Sequence, residues 1–367
     1  MKNFIACFIS IFLITSVSAQ KADSLETMIG QMIMIGIGDF DVLDKSAPVF
    51  KSLEDGKAGG IILFEKNISF ESPDKSLKQI ISHAQKKSTT PLLVSIDEEG
   101  GKVNRLKTRY GFPKTVSAQY LGKINNLDST RFYALQTAAT LAELGFNLNY
   151  APVLDVNINP ANPVIGKIQR SYSSDFNSVA SHAAEVIKAH DSLNVATALK
   201  HFPGHGSSKK DTHLGIADVS DTWRIEETYP YKILLDSGLV KVIMTAHIVN
   251  DVIDEKKLPA TLSKKVVGGL LRGFLGYEGV VISDDMQMGA ISKEYGLKES
   301  IKLSINAGVD IVMFANNVSQ SETVSADQVF EIIYNLIQDE EIPRSRIEES
   351  YNRIVKLKKS IGLLSKN

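Results

Sequence analysis

Residues 195–215, VATALKHFPGHGSSKKDTHLG, join an apolar run to a glycine-rich loop holding three lysines, three histidines and an aspartate. The run VATAL has no polar face, so it suits a strand covered on both sides, the situation of a parallel sheet. Pro203, Gly204 and Gly206 prevent a helix from following directly. A loop this dense in titratable groups, mounted on a rigid strand end, is the usual seat of function. Asp211 precedes His213 by two positions. In an extended segment such side chains share a face, so the aspartate is expected to orient and charge-stabilise the imidazole.

The same pattern recurs in both directions along the chain. Short β-rich runs stand at 31–38, 59–64, 91–97, 146–156, 195–202, 241–249, 279–285 and 310–316. Helix-like stretches lie between them, including 74–87, 129–144, 176–193 and 263–272. Eight buried strands alternating with helices predict an α/β fold, a single-domain (β/α)8 TIM-type barrel. Residues 107–123 read as irregular, 218–227 as a polar connection, and 326–364 as helices packed outside the barrel. On this reading Asp97, Asp155, Lys200, His201, His247 and Asp284 fall at the C-terminal ends of strands, the rim where barrel enzymes place catalytic groups.

The loop also carries a signature: K-H-F-P-G-H-G, four free positions, then D-T-H. With GGIILF (59–64), SIDEEGGKVNRL (95–106), NYAPVLDVNINPANPVIG (149–166) and VVISDDMQM (280–288), it resembles the β-N-acetylglucosaminidase branch of glycoside hydrolase family 3, in the family's block order. The resemblance implies a retaining exo-β-N-acetylglucosaminidase that needs no metal or cofactor. It aligns Asp284, the first aspartate of the SDD run, with the nucleophile, a role that chemically requires an ionised carboxylate beneath the anomeric carbon. Asp285 is the competitor for that role, and hydrogen bonding beside the strand end is its expected job. His213 is implied as general acid and then base, held by Asp211, in place of the usual second carboxylic acid.

Substrate-binding roles carry over from the resemblance to Asp97, Arg105, Arg170, Lys200 and His201. Carboxylates accept from sugar hydroxyls, and Arg and Lys donate to them and to the N-acetyl side. The family run is N-P-V-I-G, one residue, then R-S-F. Here Lys167, Ile168 and Gln169 stand before Arg170, a two-residue insertion that could displace it. Arg105 has a structural alternative in the EEGGKVNR turn. His205 and His247 could brace the rim or touch sugar. Asp155 and Asn157 are expected to organise the loop after the fourth strand, and Met286 and Met288 to pack.

Two other chemistries compete. His201, His205, Asp211, His213 and His247 include zinc-ligand types, so a barrel metallohydrolase is the alternative from another class. Pro203-Gly204 opposes it by preventing helical spacing of the first two histidines. Within the family, phosphate could replace water in the second step, because an imidazole carries no negative charge to repel it.

Residues 1–19 read as a secretory signal: Lys2, an apolar core at 4–14 and Val17-Ser18-Ala19 as the cleavage site, leaving 20–367 as the barrel domain. The lone cysteine, Cys7, lies within it, so the processed chain would have neither disulfides nor thiolate metal sites. The formal net charge of -1 gives no electrostatic case for nucleic acid, and no later run is long enough to enter a membrane. The expected product is an exported monomer, periplasmic or secreted. Its expected partner is a glycan ending in β-GlcNAc: peptidoglycan-derived GlcNAc-β-1,4-MurNAc fragments first, chitooligosaccharides second.

Overall fold

Each expected apolar run contributes a strand to one closed parallel barrel in the computed structural model, which describes residues 23–319 and 322–365. The strands are β1 (Ile33–Gly36), β2 (Gly60–Ile62), β3 (Leu93–Ile96), β4 (Leu148–Asn149), β5 (Ala196–Phe202), β6 (Val242–Thr245), β7 (Val280–Asp285) and β8 (Ile311–Phe314). Each pairs in parallel with its neighbours, and Ile33 opposite Val312 closes β1 onto β8. The barrel strands are buried along their length apart from the β7 tip, as expected for a sheet lined inside and covered by helices outside. The predicted secretory segment 1–19 lies outside the described residues.

Three departures from the sequence reading matter for the rim. The run at 146–156 gives only a two-residue strand, because Pro152 has no N–H for the ladder. The chain nevertheless stays beside β5, with the Leu154 N–H donating to the Lys200 carbonyl at 2.7 Å. The run at 241–249 breaks after Thr245, and its tail, Ile248–Val249, pairs with Ala217–Asp218 from the supposed polar connection. That pair ties the loop after β5 to the loop after β6. The stretch 107–123, read as irregular, contains short helices at Thr108–Tyr110 and Ala118–Ile124.

The helices at 74–87, 129–144 and 176–193 form at Pro73–Lys87, Leu127–Leu144 and Phe176–Asp191. The one at 263–272 forms at Lys265–Phe274 as a wide π-helix, and its three glycines offer little resistance to the unusual winding. The last helix, Arg344–Ser360, does more than cover the outside. Its Lys358 is buried under the barrel, where Nζ donates to the carbonyls of Gly59 at 3.1 Å and Pro91 at 2.6 Å and to Gln31 Oε1. Nearby, the buried Asp310 carboxylate accepts from Arg272 at 2.7 Å, Arg346 at 2.8 Å, Arg353 at 3.1 Å and Ser350 at 2.8 Å. The N-terminal end is thus fastened by ionic contacts, leaving the C-terminal rim for chemistry. No helix among the described residues is long and apolar enough to cross a membrane.

Candidate active site

Strand ends place the predicted site residues on that rim. Lys200 sits in β5 and is buried; its Nζ lies 2.6 Å from Asp97 Oδ1 and 2.7 Å from Glu99 Oε1, both just beyond β3. Arg170 meets the other side of Glu99, donating from Nε to Oε2 at 2.8 Å and from Nη2 to Oε1 at 2.7 Å. The two-residue insertion has therefore not displaced it. Gln169, inside the insertion, takes a left-handed conformation (φ 64), and Arg170 N–H returns to the Ile165 carbonyl at 3.1 Å, so the extra residues are absorbed in a turn.

Arg170 also fixes the tautomer of His201. A guanidinium only donates, so His201 Nε2, 3.1 Å from Arg170 Nη2, must accept. Nδ1 then carries the hydrogen and donates to Asp155 Oδ2 at 2.6 Å. The other Asp155 oxygen receives the N–H of His205 at 2.7 Å and that of His201 at 3.3 Å. Burial alone would raise the Asp155 carboxyl; His201, His205 and these N–H groups outweigh it and hold it below its ordinary value. Glu99 behaves likewise, burial being overcome by Arg170 and Lys200. Arg105 lies at the edge of this cluster, its Nη2 3.5 Å from Asp97 Oδ2 and its guanidinium 5.7 Å from the centre of the Phe64 ring. The EEGGKVNR turn is held by Glu98, which accepts the main-chain N–H groups of Arg105 and Leu106.

Across the barrel, β7 ends in Asp284 and Asp285, and their environments separate them. Asp285 points sideways, accepting from Ala315 N–H at 3.0 Å and Gln287 N–H at 3.1 Å. Burial, with Asp284 adjacent, pushes its carboxyl up to about 6. Burial opposes ionisation of Asp284 too, but His247, His201, the Asp285 N–H and His213 outweigh it and hold its carboxyl below the ordinary value. His247 is a brace: Nε2 donates to the Asp285 carbonyl at 2.9 Å and Nδ1 lies 2.8 Å from Thr261 Oγ1. Burial pushes its imidazole down. His205 is buried as well, and burial pushes it down to about 4.

Asp211 and His213 do pair, His213 Nδ1 donating to Asp211 Oδ1 at 2.7 Å, which leaves Nε2 free to exchange a proton. The route differs from the expected extended segment. Residues 211–214 form a turn, with His213 N–H on Asp211 Oδ1 at 2.8 Å and Leu214 N–H on the Asp211 carbonyl at 3.1 Å. This loop leans on the segment after β7: Ala290 N–H meets the Thr212 carbonyl at 3.2 Å, and a Cβ on Gly289 would lie 2.8 Å from the His213 carbonyl oxygen. The dyad thereby rests on the segment that follows Asp284, close enough for His213 to help hold that carboxyl down.

Metal-ligand chemistry fits poorly here, because both ring nitrogens of His201 and of His247 are already engaged and Asp155 is spent on His201 and His205. Among the described residues no three His, Cys, Asp or Glu side chains converge as a metal site. A cleft of about 580 Å³ opens at the ends of β1 and β8, but none of the predicted site residues line it.

Sequence reasoning gave no role to Glu99, the residue that joins Lys200 to Arg170. The signal available was the acidic run Asp97-Glu98-Glu99 at a strand end, in a loop otherwise rich in cations.

A closed (β/α)8 barrel with acids, cations and imidazoles gathered on its C-terminal rim is the layout of a barrel enzyme. Residues 24–357 match the glycosyl hydrolase family 3 N terminal domain, and the chain belongs to that family. It is 32% identical over 320 residues to beta-hexosaminidase A of Pseudoalteromonas piscicida, covering 82% of this chain and 53% of that one. It therefore spans about half the length of that relative. A family 3 beta-N-acetylglucosaminidase from Paenibacillus sp. str. FPU-7 superposes with a TM-score of 0.83 at 33% identity, covering 93% of this chain and 63% of that one. The beta-N-acetylhexosaminidase from Beutenbergia cavernae gives 0.79 at 28% identity, with 92% of this chain and 99% of that one covered.

Proposed function

We propose that this chain is a retaining exo-β-N-acetylhexosaminidase that removes terminal β-linked GlcNAc. The observation that carries the reading is the split at the end of β7: Asp284 is held ionised while Asp285 is pushed up to about 6, beneath a loop that presents a His213–Asp211 pair. The names of similar proteins support the same aminosugar specificity.

Each residue then has a task. Asp97, Lys200, Arg170 and Arg105 bind the terminal sugar, with His201 in the same binding face and its two ring nitrogens holding Arg170 and Asp155 in place. Lys200 gives two of its three N–H bonds to Asp97 and Glu99 and keeps one for a hydroxyl. An Asp284 oxygen attacks the anomeric carbon as the bond to the leaving oxygen breaks, and His213 Nε2–H protonates that oxygen. Water then attacks the same carbon, giving its proton to Nε2 and releasing the Asp284 carboxylate. Asp211 stabilises the imidazolium that donates in the first step and is restored by the second. Peptidoglycan-derived fragments met outside the cytoplasm are the proposed natural substrates, on the strength of the secretory pattern at 1–19.

Assays with aryl β-N-acetylglucosaminide and aryl β-glucoside test the specificity. The first is expected to be cleaved at least about tenfold faster, with no effect of chelator. Equal rates would sink the aminosugar assignment, and a chelator-sensitive rate restored by zinc would favour the metallohydrolase. Product analysis with muropeptides and chitobiose, with and without phosphate, separates free GlcNAc from the sugar phosphate that phosphorolysis would yield.

A further inference from the structure

Glu227 lies directly beneath the turn that follows β5, and none of the catalytic steps uses it. It is fully buried in the short helical segment Ile225–Thr228. Its Oε2 accepts the Ser207 N–H at 3.2 Å, while Oε1 has no hydrogen-bond partner among the described residues. The contact is close: a Cβ on Gly204 (φ +123) would lie 2.6 Å from Glu227 Cβ and 3.1 Å from Oε2. Four residues earlier, Trp223 Nε1 donates to the Pro203 carbonyl at 3.2 Å. One short segment thus grips the turn 203–207 at two points, and that turn leads straight to Asp211 and His213.

The surroundings suit a carboxylic acid and not a carboxylate. The charged group facing Glu227 is Asp155, which carries the same sign; the neutral phenol of Tyr231 flanks it, and no cation among the described residues pairs with it. The remaining titratable groups around Asp155 are His201, His205 and Arg170. His201 donates to Asp155, His205 is buried and pushed down to about 4, and Arg170 is committed to Glu99. Ser207 and the Arg224 main chain favour the anion, but full burial and the like-charged Asp155 outweigh them.

We propose that Glu227 is a positioning residue that works in its protonated form, clamping the 203–207 turn from below so that the following loop holds His213 over the β7 end, and that its ionisation loosens the clamp. Burial, with Asp155 adding to it, pushes the Glu227 carboxyl up to about 8, so the clamp holds at neutral pH and is lost in mildly alkaline solution. The folded chain keeps a proton that an unfolded glutamate would release, so this contribution to stability falls as pH rises from the ordinary carboxylate range and is gone above about 8. The effect on turnover rests on the proposed acid role of His213; the clamp itself does not.

Trp223 is the only tryptophan in the chain, so the grip can be read without any substrate. Its emission is expected to shift between pH 7 and 9 with a midpoint near 8 in the wild type and to stay flat in Glu227→Gln, whose amide oxygen can still accept from Ser207. In parallel, kcat for a β-GlcNAc glycoside with a poor leaving group should fall about tenfold per pH unit above the midpoint, with KM nearly constant. An aryl glycoside with a good leaving group should show a shallower fall in bond cleavage. Glu227→Gln should keep its pH 7 rate within about twofold and lose the alkaline limb, whereas Glu227→Ala should be slow at every pH. A wild type with no tryptophan transition, or a Glu227→Gln variant that keeps it, would overturn the clamp. So would a Glu227→Gln variant as slow as Glu227→Ala. A fluorescence transition in a protein that cleaves no β-GlcNAc glycoside would uphold the clamp and fault the activity instead.

Discussion

The two sides of the rim are built in opposite ways. Around β3 and β5 the charged groups are buried and interlocked: Lys200 is 2% exposed, Glu99 6% and Arg170 11%, and each carboxylate is shared between partners. On the loop after β5 the dyad stands in solvent, His213 65% exposed and held by one carboxylate through a local turn. Under the proposed function the difference follows from what each side would do. A sugar is recognised by fixed donors and acceptors, which gain from low dielectric and from having no freedom to lose. A group that protonates a departing oxygen and then deprotonates incoming water must serve two positions, which a rigid buried imidazole such as His201 or His247 could not do.

Asp284 belongs to neither side, and it offers the hardest test of the division between them. Asp284→Asn should lose turnover of an aryl β-GlcNAc by on the order of 10⁴-fold or more, with sugar binding and fold retained, because an amide is no nucleophile. Asp285→Asn should cost no more than about tenfold, since that side chain serves the Ala315 and Gln287 N–H groups. A dead Asp285 variant beside an active Asp284 variant would reverse the nucleophile assignment.

The buried side should fail as a unit. Glu99→Gln leaves Lys200 and Arg170 with less negative charge than they need in a buried setting, a loss of about 3–5 kcal/mol by analogy with broken buried ion pairs. Denaturant unfolding should show a lower midpoint at pH 7 and a weaker dependence on acidification. The Glu99 carboxyl is held far below its ordinary value, so its stabilisation is present above that value and is lost as pH falls through the acidic range. Asp211→Ala, on the exposed side, should move the midpoint by less than about 1 kcal/mol. Equal losses in the two variants would erase the distinction between a locked binding face and an open acid/base loop.

The same division explains what could be read from sequence. The strands were legible because each is a short apolar run bounded by breakers, and the KHFPGHG and DTH residues were legible because the loop keeps them contiguous. The Lys200–Glu99–Arg170 chain was not, since its members come from two loops and a strand, 71 positions separating Glu99 from Arg170 and 103 separating Asp97 from Lys200, and meet only when the barrel closes. Likewise, nothing local marks Lys358 or Glu227. Both are ordinary charged residues in helical segments, and only the packing of those segments against strands or turns buries them. The small pairing of Ala217–Asp218 with Ile248–Val249 was hidden for another reason: two-residue strands have no periodicity to detect.

The exposed side invites the most discriminating kinetic comparison, between the imidazole and the carboxylate that holds it. His213→Ala should be about 10²-fold slower on glycosides with poor leaving groups, yet form the glycosyl-enzyme readily from an aryl glycoside whose phenolate departs unaided. Water would still lack a base, so a burst of phenol followed by a slow steady state is expected. Asp211→Ala should show the same pattern at about one tenth of the size, because the ring survives and the turn loses only the bonds from His213 N–H and Nδ1 to Asp211 Oδ1. The ratio between the two variants measures how much of the work is proton transfer and how much is aim. If His213→Ala slowed good and poor leaving groups equally, without a burst, the exposed loop would be a binding element. The acid would then have to be sought among the buried groups, starting with Asp285, which adjoins Asp284 and whose carboxyl burial pushes up to about 6.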